Sequence, residues 1–208
     1  MRPDMEQSLI VEFEELFALR DRIGDVADGL RARLVAEGLP DRLEPDLYDQ
    51  ELELRAEPPG RFYIRLDPYH LEIGGAPPNL QTHLLGAMAL EMAGAFRLTL
   101  VEAGFSVVAQ GGPRRPIHMV YPAFASAEPG GEQMLDRRFT MTWEWTAGTT
   151  GYSLEVSSAE DRELFIGFRA REGYMSLPEL KEGSWMAEQI LRFEQAVNRI
   201  YRELGWSR

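Results

Sequence analysis

The chain contains no cysteine. Without thiols there is no disulfide framework, thiolate zinc site, iron–sulfur cluster or cysteine nucleophile, and the usual sign of an oxidising compartment is missing. Lysine is nearly absent as well: Lys181 is the only one among 22 basic residues, so arginine carries the positive charge. There is no long apolar run. The longest uncharged stretch, Ile73 to Leu90, holds Pro77, Pro78, Asn79, Gln81 and His83 and does not read as a membrane span. The first residues, MRPDMEQS, are polar and acidic where a signal peptide is basic and then apolar. Together these absences predict a cytoplasmic protein without a membrane segment.

What the chain has is acid. Its 208 residues carry 34 Asp and Glu against 22 Arg and Lys, a formal charge of −12, and residues 1 to 60 hold 16 of the acidic and 7 of the basic ones. A field of that sign repels phosphate backbones, so direct nucleic-acid binding is disfavoured while a basic protein partner is not. Hydrophobic residues make up 44% and aromatics 10%, enough for a sizeable core.

The hydrophobic spacing predicts an α+β fold: an antiparallel sheet packed by an N-terminal helix, a mostly buried middle helix and a long C-terminal helix. Asp4 with Gln7 reads as a capping box. Leu9, Phe13, Leu16, Arg20, Ile23, Ala27, Leu30 and Leu34 then follow at steps of four and three, describing one helix, or two with a bend near Gly24, ended by Gly38 and Pro40. From Leu47 the period becomes two, giving a strand through Leu54, a turn at Glu57 to Gly60, a strand at Phe62, Ile64 and Leu66, and another at Leu71 and Ile73. Asn79 caps a helix expected over Leu80 to Ala103, whose small residues Gly86, Ala87, Ala89, Ala93, Gly94 and Ala95 invite close approach. A meander is expected over Phe105–Ala109, Ile117–Tyr121, Met134–Trp145, Tyr152–Ser157 and Glu163–Arg169, with loops at Gln110–Pro116 and Ala125–Gln133. Ser176 with Glu179 forms a further capping box. Met186, Ile190, Phe193, Val197, Ile200 and Leu204 make the seam of the closing helix, which Gly205 ends. One domain over residues 1–208 accommodates these elements, with a pseudo-repeat of 47–105 and 152–206 suggested by their strand, turn, strand, helix order and by the paired ends Leu100–Phe105 and Tyr201–Trp206.

Catalytic signatures are missing. His70, His83 and His118 lack the i, i+4 spacing of a helical zinc site and have no carboxylate at ligand spacing. No serine stands in a Gly-x-Ser-x-Gly elbow, and neither a phosphate loop nor a dinucleotide fingerprint occurs. Gly111 and Gly112 before Arg114 and Arg115 have no following helix to supply backbone donors. Carboxylate pairs such as Glu14–Glu15 and Glu51 with Glu53 are unremarkable in so acidic a chain. The expectation is therefore no catalytic, cofactor-binding or metal-binding residue. The aromatic strand Phe139 to Trp145 stands out instead: Phe139, Met141, Trp143 and Trp145 share one face. That face is either core, under the terminal helices, or a platform for an extended partner, in which case Phe139, Trp143 and Trp145 are the binding residues.

The Leu71-Glu-Ile-Gly-Gly75 strand end leading into the Leu80–Ala103 helix, with the closing helix from Ser184, resembles the type III secretion chaperone fold and the related YbjN family. The likeness lies in topology over most of the chain; no motif transfers residue by residue, and the strands from Met134 onward exceed the minimal pattern. It implies a homodimer without catalysis that binds another protein. The resulting expectation is a non-enzymatic, dimeric, chaperone-like adaptor with a basic client that itself binds nucleic acid in one version. The alternatives are a lipid or small-ligand carrier with an apolar cavity, suited by 9 Met and 4 Trp, and a metal-dependent hydrolase using His70, His83 and His118.

Overall fold

The computed structural model describes residues 5–38, 43–48, 51–56, 62–95, 97–110, 138–159 and 163–204. The fold is α+β, as the periodicities indicate, and the chain order is β1 (Met5–Phe13), α1 (Leu19–Ala36), β2 (Leu43–Tyr48), β3 (Glu51–Ala56), β4 (Tyr63–Leu66), β5 (His70–Ala76), α2 (Thr82–Ala93), β6 (Leu98–Gln110), β7 (Arg138–Ala147), β8 (Thr150–Ala159), β9 (Glu163–Glu172), α3 (Leu177–Glu182) and α4 (Ser184–Leu204). One antiparallel nine-stranded sheet runs through it in the order β2-β3-β4-β5-β1-β6-β9-β8-β7.

Two expected helices give way to strands. Residues 5–13, read as the start of the N-terminal helix, form β1 near the middle of the sheet. Leu9 and Phe13 fit a helical step, but Met5, Gln7, Leu9, Val11 and Phe13 are all buried, a period of two that the four-step had masked. The proposed cap Asp4 lies outside the described residues. The helix expected over Leu80–Ala103 ends at Gly94, whose φ of 86° is the left-handed cap conformation that favours glycine. Beyond it Val101, Ala103, Phe105 and Val107 turn inward along β6. The helix also starts at Thr82 with Gln81 as its cap position, not at Asn79. The single strand expected from Leu47 to Leu54 is two, β2 and β3, paired as a hairpin. The turn at 57–60, the strand at 117–121, both long loops and Gly205 lie outside the described residues. By contrast, the Ser176–Glu179 capping box is formed in both directions, and α4 buries Met186, Phe193, Val197, Ile200 and Leu204 along its expected seam, with Ile190 partly buried.

Register places the core on one side of the sheet. Leu54, Ile64, Ile73, Leu9, Ala103, Ala170, Tyr152 and Trp145 are successive cross-strand partners from β3 to β7, forming an apolar rung under the helices. Most of them are fully buried. Helix α2 comes close to this rung because Gly86 offers no side chain: a Cβ there would stand 2.6 Å from a Leu9 methyl. Helix α1 crosses α2 in the same manner, with the Met92 thioether filling the space over Gly29. Lys181 ties α3 to α2 through both carboxylate oxygens of Glu91, each at 2.9 Å.

The strand order is mirrored about the β1–β6 pair: β3-β4-β5-β1 on one side corresponds to β7-β8-β9-β6 on the other, with α2 packed on β1 and β5 and α4 on β6 and β9. This is a statement of topology alone. Its phase differs from the expected pairing of 47–105 with 152–206.

Leu9 sits at the centre of this packing. Leu9→Ala should lower the unfolding free energy by about 2–5 kcal/mol in urea titration, whereas Phe17→Ala, at a position 83% exposed, should change it by less than about 0.5 kcal/mol.

Candidate protein-binding surface

Every helix packs on the core side, so among the described residues the opposite side of the sheet has no layer over it. The rungs there are polar. Glu53, Arg65, Glu72, Ile10, Glu102 and Arg171 are successive partners across β3, β4, β5, β1, β6 and β9, a row in which charge largely alternates. Arg65 lies 3.2 Å from Glu51 and 3.3 Å from Glu53, and Arg171 donates to Glu102. Beside this row run two rungs of small residues: Ser8, Gly104, Arg169, Ser153 and Glu144, then Glu6, Ser106, Gly167, Glu155 and Thr142. With so little side chain on its floor, the sheet forms a trough of about 560 Å³. Two aromatic rings flank it. Tyr63 lies across its cross-strand partner Gly74, and the Phe165 ring leans over Gly167; a Cβ at either glycine would meet the ring.

The balance of this face is acidic. The side chains that alternate away from the core are Glu6 and Glu12 on β1, Glu51, Glu53 and Arg55 on β3, Arg65 on β4, and Glu72 on β5. On the other half they are Glu102 on β6, Glu144 on β7, Glu155 on β8, and Glu163, Arg169 and Arg171 on β9. Among the described side chains, nine carboxylates thus share this face with four guanidinium groups. Glu102 is only 5% exposed, and Arg171 together with Arg169, at 3.9 Å, compensates its charge. That hydrogen bond and the charge of Glu102 raise Arg171 above its already high value. Tyr63 donates a 2.5 Å hydrogen bond to Glu72. Burial, then this bond and the charge behind it, push the phenol up to about 12. Its neutral form is thus the one the fold favours, and the associated stability is lost as pH rises above the ordinary tyrosine value of about 10. Ultraviolet titration should show one tyrosine ionising near 12, and Glu72→Gln should bring it down.

The aromatic strand lies on the other side. Trp143 and Trp145 on β7 point to the helix face, where Trp145 stacks on Tyr152 with ring centres 5.3 Å apart, and Arg192 of α4 lies over the same tyrosine. Trp143 is half-buried against the core and Trp145 keeps 39% of its surface. The pair therefore forms an apolar ledge at the border of the core. β7 is the last strand of the described sheet on that side. The side chain of Phe139 lies outside the described residues.

The histidines do not come together into a described site. His70 opens β5, 3.7 Å from Asp67, while His83 is half-buried on α2 with its ring over Gly183; His118 lies outside the described residues. Among the described residues no group of three His, Asp or Glu is placed to hold a metal, and no helix is long and apolar enough to cross a membrane. Burial lowers the His83 pKa. The unfolded chain then binds the proton more readily, so the stability from neutral His83 is full above about pH 6.5 and is lost as pH falls through the imidazole range. Between pH 7.5 and 5.5 the wild type should lose more unfolding free energy than His83→Gln, as measured by denaturant titration.

The charged and small-residue rungs were not legible as a site in the sequence. The spacing puts Glu102 in a buried helix over Leu80–Ala103 and Glu6 and Ser8 in an amphipathic one, which hides their meeting with Gly104 on one face. The alternation of Val101, Ala103, Phe105 and Val107 was the available signal. No protein-family model matches the chain, and no curated protein matches it in sequence.

Proposed function

We propose that this protein is a non-enzymatic, chaperone-like adaptor that holds another protein against the uncovered face of its sheet, and that the partner presents a basic surface. The observation that carries this reading is the one-sided cladding of the nine-stranded sheet among the described residues: helices protect the core side, and the other side offers a broad acidic surface with a trough at its centre. Surfaces of one sign raise association rates with partners of the opposite sign and bind them less well as salt increases. The likeness of element order to type III secretion chaperones and the YbjN family belongs to this proposal, as does a cytoplasmic location. A homodimer has less surface to draw on than its sequence indicates. The seams of α1 and α4 are buried within the chain, and among the described residues the exposed large apolar side chains are Phe17, Val35, Tyr69, Trp145, Tyr174 and Leu191, with Trp143 half-buried. The client, and not a second copy, is therefore the partner proposed.

A photo-reactive phenylalanine analogue placed at Thr142, exposed on the uncovered face, should give a cross-linked protein adduct in the source cell. The same group at Arg20, exposed on α1, should not. Adducts from Arg20 alone, or from neither position, would overturn the reading.

A further inference from the structure

The proposed client surface has internal structure that specifies more than net charge. Along the Glu53–Arg171 row the chain supplies its own cations: Arg65 lies on Glu51 and Glu53, and Arg171 on Glu102. In the two small-residue rungs alongside, the balance is different. Glu144 and Glu155 share them with Arg169. Ser8, Gly104 and Ser106 form a low floor between these carboxylates, and Tyr63 and Phe165, the latter lying over Gly167, form apolar walls for the stems of long side chains.

We infer that the trough receives an extended, arginine-rich segment of the client, its backbone over the serine and glycine floor and its guanidinium groups on Glu144 and Glu155. This rests on the chaperone-like reading and names the part of the client recognised. The face already shows the chemistry required, since its own arginines are held by carboxylates at hydrogen-bond distance. Guanidinium suits such pairing because its planar donors match a carboxylate and its stem packs along aromatic rings. An extended chain alternates its side chains, so every second residue faces the trough while the others point to solvent.

The test is fluorescence anisotropy of a labelled peptide of alternating Arg and Ser, titrated with the full chain. Binding should weaken with salt. Glu144→Gln with Glu155→Gln, which keeps side-chain volume, should weaken it by about tenfold or more, equivalent to about 1.4 kcal/mol. Asp21→Asn with Asp25→Asn removes the same charge from α1 on the other side and should leave binding unchanged. Ser106→Trp, which fills the trough without altering charge, should also weaken it; if that variant does not fold, the isosteric glutamine pair still decides. Equal losses in the α1 and trough variants, no loss in the trough variants, or full displacement by spermidine at matched charge would overturn the inference. If the peptide fails to bind while client adducts still form from Thr142, this inference falls and the chaperone-like reading stands.

Discussion

The antiparallel pairing of β1 with β6 is the interaction on which the rest of the structure depends. It runs from Met5 opposite Val107 to Phe13 opposite Leu98 and joins the group β2–β5 to the group β7–β9 in one sheet. Its core side carries Leu9, Val11, Val101 and Ala103, all fully buried. Gly86 lets α2 settle on Leu9, and α4 brings Phe193 into a stack with Phe105, whose ring also lies against Phe168. Tight packing at these points is what holds both helices on the same side, because apolar surface removed from water is the main favourable term in folding.

One-sidedness then decides the character of the opposite face. The period of two that places Leu9 and Ala103 inward places Ser8, Ile10, Glu102 and Gly104 outward, and register brings them together with Arg169 and Arg171. A buried carboxylate such as Glu102 is tolerated because a guanidinium sits on it; alone it would carry a large desolvation cost. The same face pairs Tyr63 with Glu72. Acidic excess, internal arginine pairing and a shallow floor are thus consequences of one register, and the proposed client site inherits all three.

Parts of this arrangement were legible in the sequence because they depend on short-range physics. The Ser176–Glu179 box needs only a hydroxyl and a carboxylate three residues apart, and the α4 seam needs only a regular four-three spacing over several turns. Strands β4, β5, β8 and β9 are bounded by turn residues that leave little choice. β1 was not legible because Leu9, Phe13 and Leu16 satisfy a helical step as well as Leu9, Val11 and Phe13 satisfy a strand. The propensities of the segment do not separate the two; the partners on either side, β5 and β6, do. β6 was obscured by the uncharged run before it, since a strand buried among others lacks the polar alternation that marks a half-exposed one.

By itself, then, the sequence determined the α+β class, the capped and amphipathic C-terminal helices, the acidic excess and the lack of thiol chemistry, all of them set by composition or by neighbours within a few residues. Only the tertiary structure decided that residues 5–13 form a central strand, that Trp143 and Trp145 border the core, and that carboxylates from seven strands share one face. These depend on which strands pair and in what register, and register is fixed by the burial of a whole face at once, since a slip of one residue would exchange Leu9 for Ser8 along the entire rung.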